Sequence, residues 1–114
     1  MSAIEQARAH FGRLAVRTIE VPEWADADGK PLVVYARPMT LHDKARLAAV
    51  AAQVGDVEMM AHVLLMKAEN AQGEKLFTLE DKHLLLKQVD PNVLGRVAVA
   101  ITRSATVEEM EKNA

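Results

Sequence analysis

The sequence has no cysteine and few aromatic residues. Without cysteine, the chain can form neither disulfides nor thiolate metal sites, and its composition does not indicate an oxidising compartment. Aromatic residues make up 4% of the chain, and they are Phe11, Trp24, Tyr35 and Phe77. The core must therefore consist mainly of leucine, valine, alanine and methionine. The six methionines favour an adaptable interior or binding surface, because methionine is unbranched and repacks easily.

The chain also lacks strong net charge and long apolar runs. Its net charge of −2 gives no long-range attraction to nucleic acid or to anionic membranes, so we expect neither as a partner. No uninterrupted apolar run approaches the roughly 20 residues that span a bilayer. Glu5 and Arg8 lie where a signal peptide needs an apolar stretch. These absences predict a cytoplasmic protein, and the length of 114 residues predicts one domain.

Residue patterns that support chemistry are missing as well. No two histidines lie three or four residues apart, so no helix presents a pair of metal ligands. The glycines are isolated, and both serines lie near the termini, so neither a phosphate-binding loop nor a nucleophile elbow is indicated. We therefore predict no catalytic residue, no cofactor-binding residue, no metal site and no enzyme activity.

What is present divides at Pro38. Residues 15–21 and 32–37 have the β-branched composition of strands, and the turn dipeptide Asp28-Gly29 lies between them. After Pro38 only helical periodicity appears. The sequence therefore predicts an α+β fold, in which an N-terminal helix or arm and a β-hairpin are followed by a bundle of about four α-helices. The predicted parts are an arm (1–14), one domain (15–103, with the hairpin at 15–37 and the helices at 41–103) and a flexible C-terminal tail (104–114).

Capping residues predict where the helices begin and end. Thr40 and Asp43 form a weaker version of the capping box, and Gly55 suits the left-handed position that ends a helix. Later helices are predicted to start at Thr78 and at Asp90-Pro91. In the first helix of the bundle, the sequence predicts an apolar face formed by Leu41, Ala45, Ala48 and Ala52. Leu47 and Val50 lie beside this face.

The second helix of the bundle has an apolar face that is wider than one core stripe requires. Burial in the core is the simpler interpretation of these residues, and a groove or subunit interface for an apolar helix is the alternative. In the hairpin loop, Trp24 either folds back on the sheet or remains exposed as a contact. The residues predicted to bind a partner are Trp24, Met59, Met60, Val63 and Met66.

The short glycine-containing link between these two helices also invites comparison with a helix-turn-helix module. A recognition helix needs a basic, polar face. The second helix has one basic residue, Lys67, and two acidic residues, Glu58 and Glu69. DNA binding is therefore disfavoured.

Several short motifs, taken in order, resemble the tail assembly chaperones of long-tailed bacteriophages. The matching passages, which span roughly residues 17–103, are Val21-Pro22-Glu23-Trp24, Arg37-Pro38-Met39-Thr40, the turn at 70–77 leading into Thr78-Leu79-Glu80-Asp81, and the closing helix after Asp90-Pro91. Asn70 stands where an acidic residue is more usual, and the helix before Arg17 is less typical of the family.

The resemblance implies a role in viral tail assembly. Such a protein coats the long, aggregation-prone tape measure protein in the bacterial host cytoplasm, and it is displaced when tail tube subunits polymerise. The implied partners are the tape measure protein and the tail tube protein, and homo-oligomerisation stays open. In many such systems a ribosomal frameshift adds a second domain. Glu111-Lys112-Asn113 can be encoded by GAA-AAA-AAC, which contains a slippery heptamer, and the nucleotide sequence tests this hypothesis.

A second class of function stays open from the sequence. A small helical adaptor or regulatory protein, acting as a partner of a transcription factor or in a toxin–antitoxin pair, has a similar composition. Genomic position discriminates between the two, since a tail assembly chaperone gene should lie between a tail tube gene and a very long tape measure gene.

Overall fold

The computed structural model describes residues 1–103, and the predicted C-terminal tail at 104–114 lies outside them. The described part is an α+β fold, as predicted, with an N-terminal helix, an antiparallel β-hairpin and then helices joined by loops. In chain order the elements are α1 (Ala3–Gly12), β1 (Arg17–Val21), β2 (Leu32–Ala36), α2 (Leu41–Lys67), α3 (Lys82–Lys87) and α4 (Pro91–Thr102).

The β-hairpin pairs β1 with β2 in a register that places Arg17 opposite Ala36 and Val21 opposite Leu32. Its ladder continues beyond the hairpin, because Tyr35 and Glu69 exchange backbone hydrogen bonds of 2.8 and 2.9 Å. Glu69 in turn forms a bridge with Lys75. The segment after α2 therefore extends the sheet along the outer edge of β2.

The helix α2 is folded in half at Gly55. The backbone there has φ 87° and ψ 167°, values that no helix contains. The Nζ atom of Lys67 lies 2.9 Å from Oδ2 of Asp43, although the rise of about 1.5 Å per residue would separate these residues by about 36 Å in a straight helix. α2 is therefore an antiparallel helical hairpin, whose N-terminal arm is residues 41–54 and whose C-terminal arm is residues 56–67. The predicted helix break at Gly55 is confirmed.

The predicted caps are also present. The hydroxyl of Thr40 accepts from the backbone N–H of Asp43, and the carboxylate of Asp43 accepts from the backbone N–H of Thr40, both at 3.0 Å. Thr78 begins the next helical segment through a hydrogen bond of 2.9 Å from its N–H to Asp81. Asp90 accepts from the N–H of Asn92 at 2.9 Å, with Pro91 at the first helical position.

The core lies between the hairpin, the C-terminal arm of α2 and α4. Its largest fully buried side chains are Leu64, Val21, Val34, Val63 and Val97. By contrast, α1 contains no buried residue. In the N-terminal arm the predicted face that starts at Leu41 is exposed, and Leu47 beside it is buried instead. Burial of Leu47 removes more apolar area from water than burial of any one alanine of the predicted face would.

By length and composition alone, α2 is apolar enough to cross a membrane, and it is the one described helix that is. The fold at Gly55 divides this apolar stretch into two arms, each well short of the roughly 20 residues that span a bilayer. The ion pair between Asp43 and Lys67 brings the two ends of α2 to the same side of the molecule.

Candidate functional site

The methionine-rich face of α2 turns mostly inward. Val63 is 1% exposed and belongs to the core, so it cannot contact a partner while the core is closed. Met59 and Met60 are half-buried against the core. The sulfur of Met60 lies 3.5 Å from the place where a Cβ atom on Gly95 would be, so it packs on α4. Met66 is half-buried as well, but it lines an open groove. Partner binding by these methionines stays a prediction.

Trp24 folds back on the protein. It lies in a short 3-10 turn after β1, at Pro22–Trp24, and its ring meets Phe77 edge-on with centroids 6.2 Å apart and an interplanar angle of 77°. It packs against the core and is half-buried. This is the first of the two placements considered from the sequence, and only the remaining exposed part of the ring is free to meet a partner.

An open groove lies between the two arms of α2, and we call it the arm groove. It has a volume of about 480 Å³. Three side chains come from each arm and two from the segment before α3. Its lining residues are Arg46, Ala49, Val50, His62, Leu65, Met66, Lys75 and Leu79.

The arm groove has an apolar floor and a basic rim. Arg46 and Lys75 supply positive charge, and no carboxylate lies among the lining residues. Lys75 donates from Nζ to the carbonyl oxygen of Met66. This contact places a cation beside the unpaired carbonyls at the end of α2, where positive charge is stabilising. The groove therefore suits an apolar ligand that carries negative charge at its edges.

Leu79 stands at the edge of this groove with 75% of its surface exposed. It directly follows the Thr78 cap, so its position is fixed by the start of the helical segment rather than by core packing. Arg46, Lys75 and Leu79 were not predicted as site residues from the sequence. The sequence contained one signal for Leu79: it is a large apolar residue that directly follows a helix cap and does not belong to the apolar face of that helix.

His62 contributes an uncharged ring to the groove lining. Its Nε2 atom is buried and has no hydrogen-bond partner within the described residues. Burial lowers the pKa of His62 below its usual value, and the positive charge of Lys82 lowers it further. The ring is therefore neutral near pH 7 and adds to the apolar character of the groove.

An ion pair of low exposure holds the arms together. The side chains of Lys67 and Asp43 are 11% and 16% exposed. Burial alone would raise the pKa of Asp43, but hydrogen bonds from Thr40 and Lys67 outweigh it and lower the pKa to about 2. Asp43 therefore stays ionised in the folded protein well below the pH at which an unfolded aspartate becomes protonated.

This ion pair predicts a loss of stability in acid. In the folded protein the pKa of Asp43 is about 2, below its ordinary value of 3.8. The ion pair therefore contributes its full stabilisation above pH 3.8, and this stabilisation is lost as the pH falls to about 2. We expect the Asp43 contribution to the free energy of unfolding, about 1–2 kcal/mol, to disappear over this window. Urea titrations at pH 6 and pH 2.5 measure it in the wild type and in Asp43→Asn.

The Asp43→Asn variant should lose less stability than the wild type between these two pH values. Glu23 provides a control, because hydrogen bonds from Arg96 at 2.7 Å lower its pKa to about 2 as well. In Glu23→Gln the Asp43 component should remain. If Asp43→Asn had the same acid dependence as the wild type, the ion pair would not be a source of it.

Among residues 1–103, no group of three histidine, aspartate or glutamate side chains is placed to hold a metal ion. What the arm groove offers is apolar area beside positive charge, which suits the face of an amphipathic helix. Comparison with protein-family models, curated proteins and solved structures finds no match. Function therefore has to be inferred from geometry and from the motif resemblance.

Proposed function

We propose that this protein is a tail assembly chaperone of a long-tailed bacteriophage or prophage. It binds the tape measure protein in the bacterial cytoplasm, keeps it soluble and helps to recruit tail tube subunits. The order of motifs in residues 17–103 supports the family. The observation that carries the binding role is the arm groove, with its apolar floor and basic rim.

A helical client fits this surface by its apolar face. Side chains at i, i+3 and i+7 of such a helix would cover Val50, Leu65 and Met66, and Leu79 would close over them from the edge. Acidic residues beside the client's apolar stripe would meet Arg46 and Lys75, which favours encounter and fixes orientation. Methionine in the floor tolerates different client side chains, since its thioether repacks easily.

Release is part of the proposed role. The groove is open and its apolar area is modest, so the chaperone dissociates rapidly from its client and no chemical step is needed for release. Tail tube subunits that bind the same client in large numbers then replace it. No energy source is needed, because polymerisation supplies the driving force.

Co-expression tests this function. The protein is produced together with the tape measure protein that its own genome encodes. We expect the tape measure protein to move from the insoluble to the soluble fraction and to co-purify with the chaperone. If solubility did not change and no complex formed, the chaperone function would be rejected, and the adaptor or regulatory class would be favoured.

Replacing Leu79 by aspartate tests the site. We expect Leu79→Asp to weaken client binding by about tenfold or more, because it removes an apolar contact and places a charge in the groove. Val99→Asp is the matched control, since Val99 is 62% exposed on α4 and does not line the groove. Affinity is measured with a soluble tape measure fragment, and circular dichroism verifies that both variants fold. Equal weakening by both would place the client elsewhere without rejecting the function.

A further inference from the structure

The edge of the sheet that β1 forms is open. The outer edge of β2 is occupied, because Tyr35 exchanges backbone hydrogen bonds with Glu69, and Glu69 forms a bridge with Lys75. On the other side, residues 18–21 of β1 have no backbone hydrogen bond to any segment except β2 within the described range 1–103. The N–H and C=O groups of alternate residues in β1 therefore point away from the sheet.

β1 lacks several of the features that usually keep an edge strand from pairing with another chain. Residues 18–21 contain no proline and no lysine, and Glu20 is the one charged residue among them. The register with β2 is continuous and has no bulge. Natural edge strands are usually guarded by such features. Thr18, Ile19 and Val21 are also β-branched, so β1 suits the addition of a further strand.

The two faces of β1 restrict which strand can pair with it. Burial alternates along β1, so that Ile19 packs against the core while Thr18 and Glu20 are exposed on the outer face. A good antiparallel partner places an apolar residue opposite Ile19 and no carboxylate opposite Glu20. β1 of a second copy meets both conditions when the two strands pair about Ile19. Ile19 then lies opposite its counterpart, and each Glu20 lies opposite a Thr18, whose hydroxyl can donate to the carboxylate.

We propose that two copies of this chain associate through their β1 edges, in an antiparallel pair centred on Ile19. The occupant is a second copy because β1 is complementary to itself in this register. The two hairpins then form one continuous sheet. Each strand has five residues, so the strands alone bury less than the roughly 800 Å² per partner of a standard interface, and the dimer is weak. The inference is independent of the arm groove and of the proposed chaperone role.

Disulfide formation between introduced cysteines tests the register. The chain has no cysteine of its own, so every disulfide reports the introduced positions. Residues directly opposite in antiparallel strands have Cα atoms about 4.5–5.5 Å apart, and disulfides span about 4.4–6.8 Å. In the proposed dimer Thr18 lies opposite Glu20, whereas the two copies of Thr18, like the two copies of Glu20, are about 8 Å apart. A mixture of Thr18→Cys and Glu20→Cys should therefore form linked dimers severalfold faster than either variant alone.

Charge exchange tests the same pair without a covalent link. Thr18→Glu places carboxylates opposite each other in both halves of the dimer, so sedimentation velocity should show severalfold weaker association. Adding Glu20→Lys to Thr18→Glu turns this repulsion into attraction and should restore the association. Gln53→Glu, an exposed change near the fold of α2, adds the same charge away from β1 and should leave association unchanged. Circular dichroism verifies that each variant folds.

Hydrogen exchange provides a third measurement, since the amides of residues 18–21 should exchange more slowly as the protein concentration rises. Three outcomes would overturn the proposal. The first is equal linking in the cysteine mixture and in each variant alone, which would indicate random collision. The second is fastest linking by one variant alone, which would indicate another register. The third is protection of β1 amides only after the tape measure protein is added, which would assign the edge to an extended segment of that client.

Discussion

Replacing Leu64 by alanine should lower the free energy of unfolding by about 3–4 kcal/mol. Leu64 is 0% exposed and lies in the C-terminal arm of α2, within the core that also contains Val34 and Val97. The substitution removes buried apolar volume and leaves a cavity that close-packed neighbours fill only partly. Because small domains are stable by only about 5–15 kcal/mol, the variant loses a large part of its margin.

Urea denaturation followed by circular dichroism measures this loss. Leu41→Ala is the matched control, because Leu41 begins the same helix and is 85% exposed, so its truncation should change stability by less than about 0.5 kcal/mol. The slope of the urea dependence should stay unchanged in both variants. Similar losses at Leu64 and Leu41 would contradict the core described above.

Replacing Gly55 by alanine should cost about 2–3 kcal/mol, for a reason unrelated to packing. No neighbouring atom lies within 4 Å of a Cβ added there, so nothing obstructs the methyl group. The backbone, however, has φ 87° and ψ 167°, a region that only glycine enters without strain. Alanine must therefore either accept that strain or abandon the turn between the arms.

Gly12→Ala is the control for this experiment. Gly12 is the last residue of α1, it has no positive φ, and no atom would contact its Cβ, so alanine there should be neutral or slightly stabilising. Thermal unfolding compares the two variants, and size-exclusion chromatography reports whether straightened arms of Gly55→Ala exchange between chains. A monomeric Gly55→Ala variant as stable as the wild type would show that the strain argument is incorrect.

Local signals in the sequence were sufficient for the elements of the fold. The caps at Thr40 and Asp90 and the break at Gly55 were predicted because each depends on neighbouring residues only. Two other features were not predicted: the bridge from Tyr35 to Glu69 and the ion pair from Asp43 to Lys67. Both join distant parts of the chain, and no local pattern encodes which partner is chosen.

The same limit applies to the candidate site. The sequence indicated an apolar helix face, but it could not show that Met59, Met60 and Met66 all pack against the core. Nor could it show that, of these three, only Met66 also lines the groove. Arg46 and Leu79 come from segments that meet only when α2 folds back at Gly55. A groove formed by tertiary folding cannot be predicted from the periodicity of one helix.

The bridge between Tyr35 and Glu69 couples the folding of the β-hairpin to the folding of the helical hairpin α2. The β-hairpin and the helical hairpin each close a short loop and can form early. Their joint ladder forms only after both are in place, so the amide protons of Tyr35 and Glu69 should exchange with solvent through one shared opening. The arms of α2 therefore cannot separate fully unless the hydrogen bonds between Tyr35 and Glu69 break. Any partner that opens the arms would also disrupt the edge of the sheet.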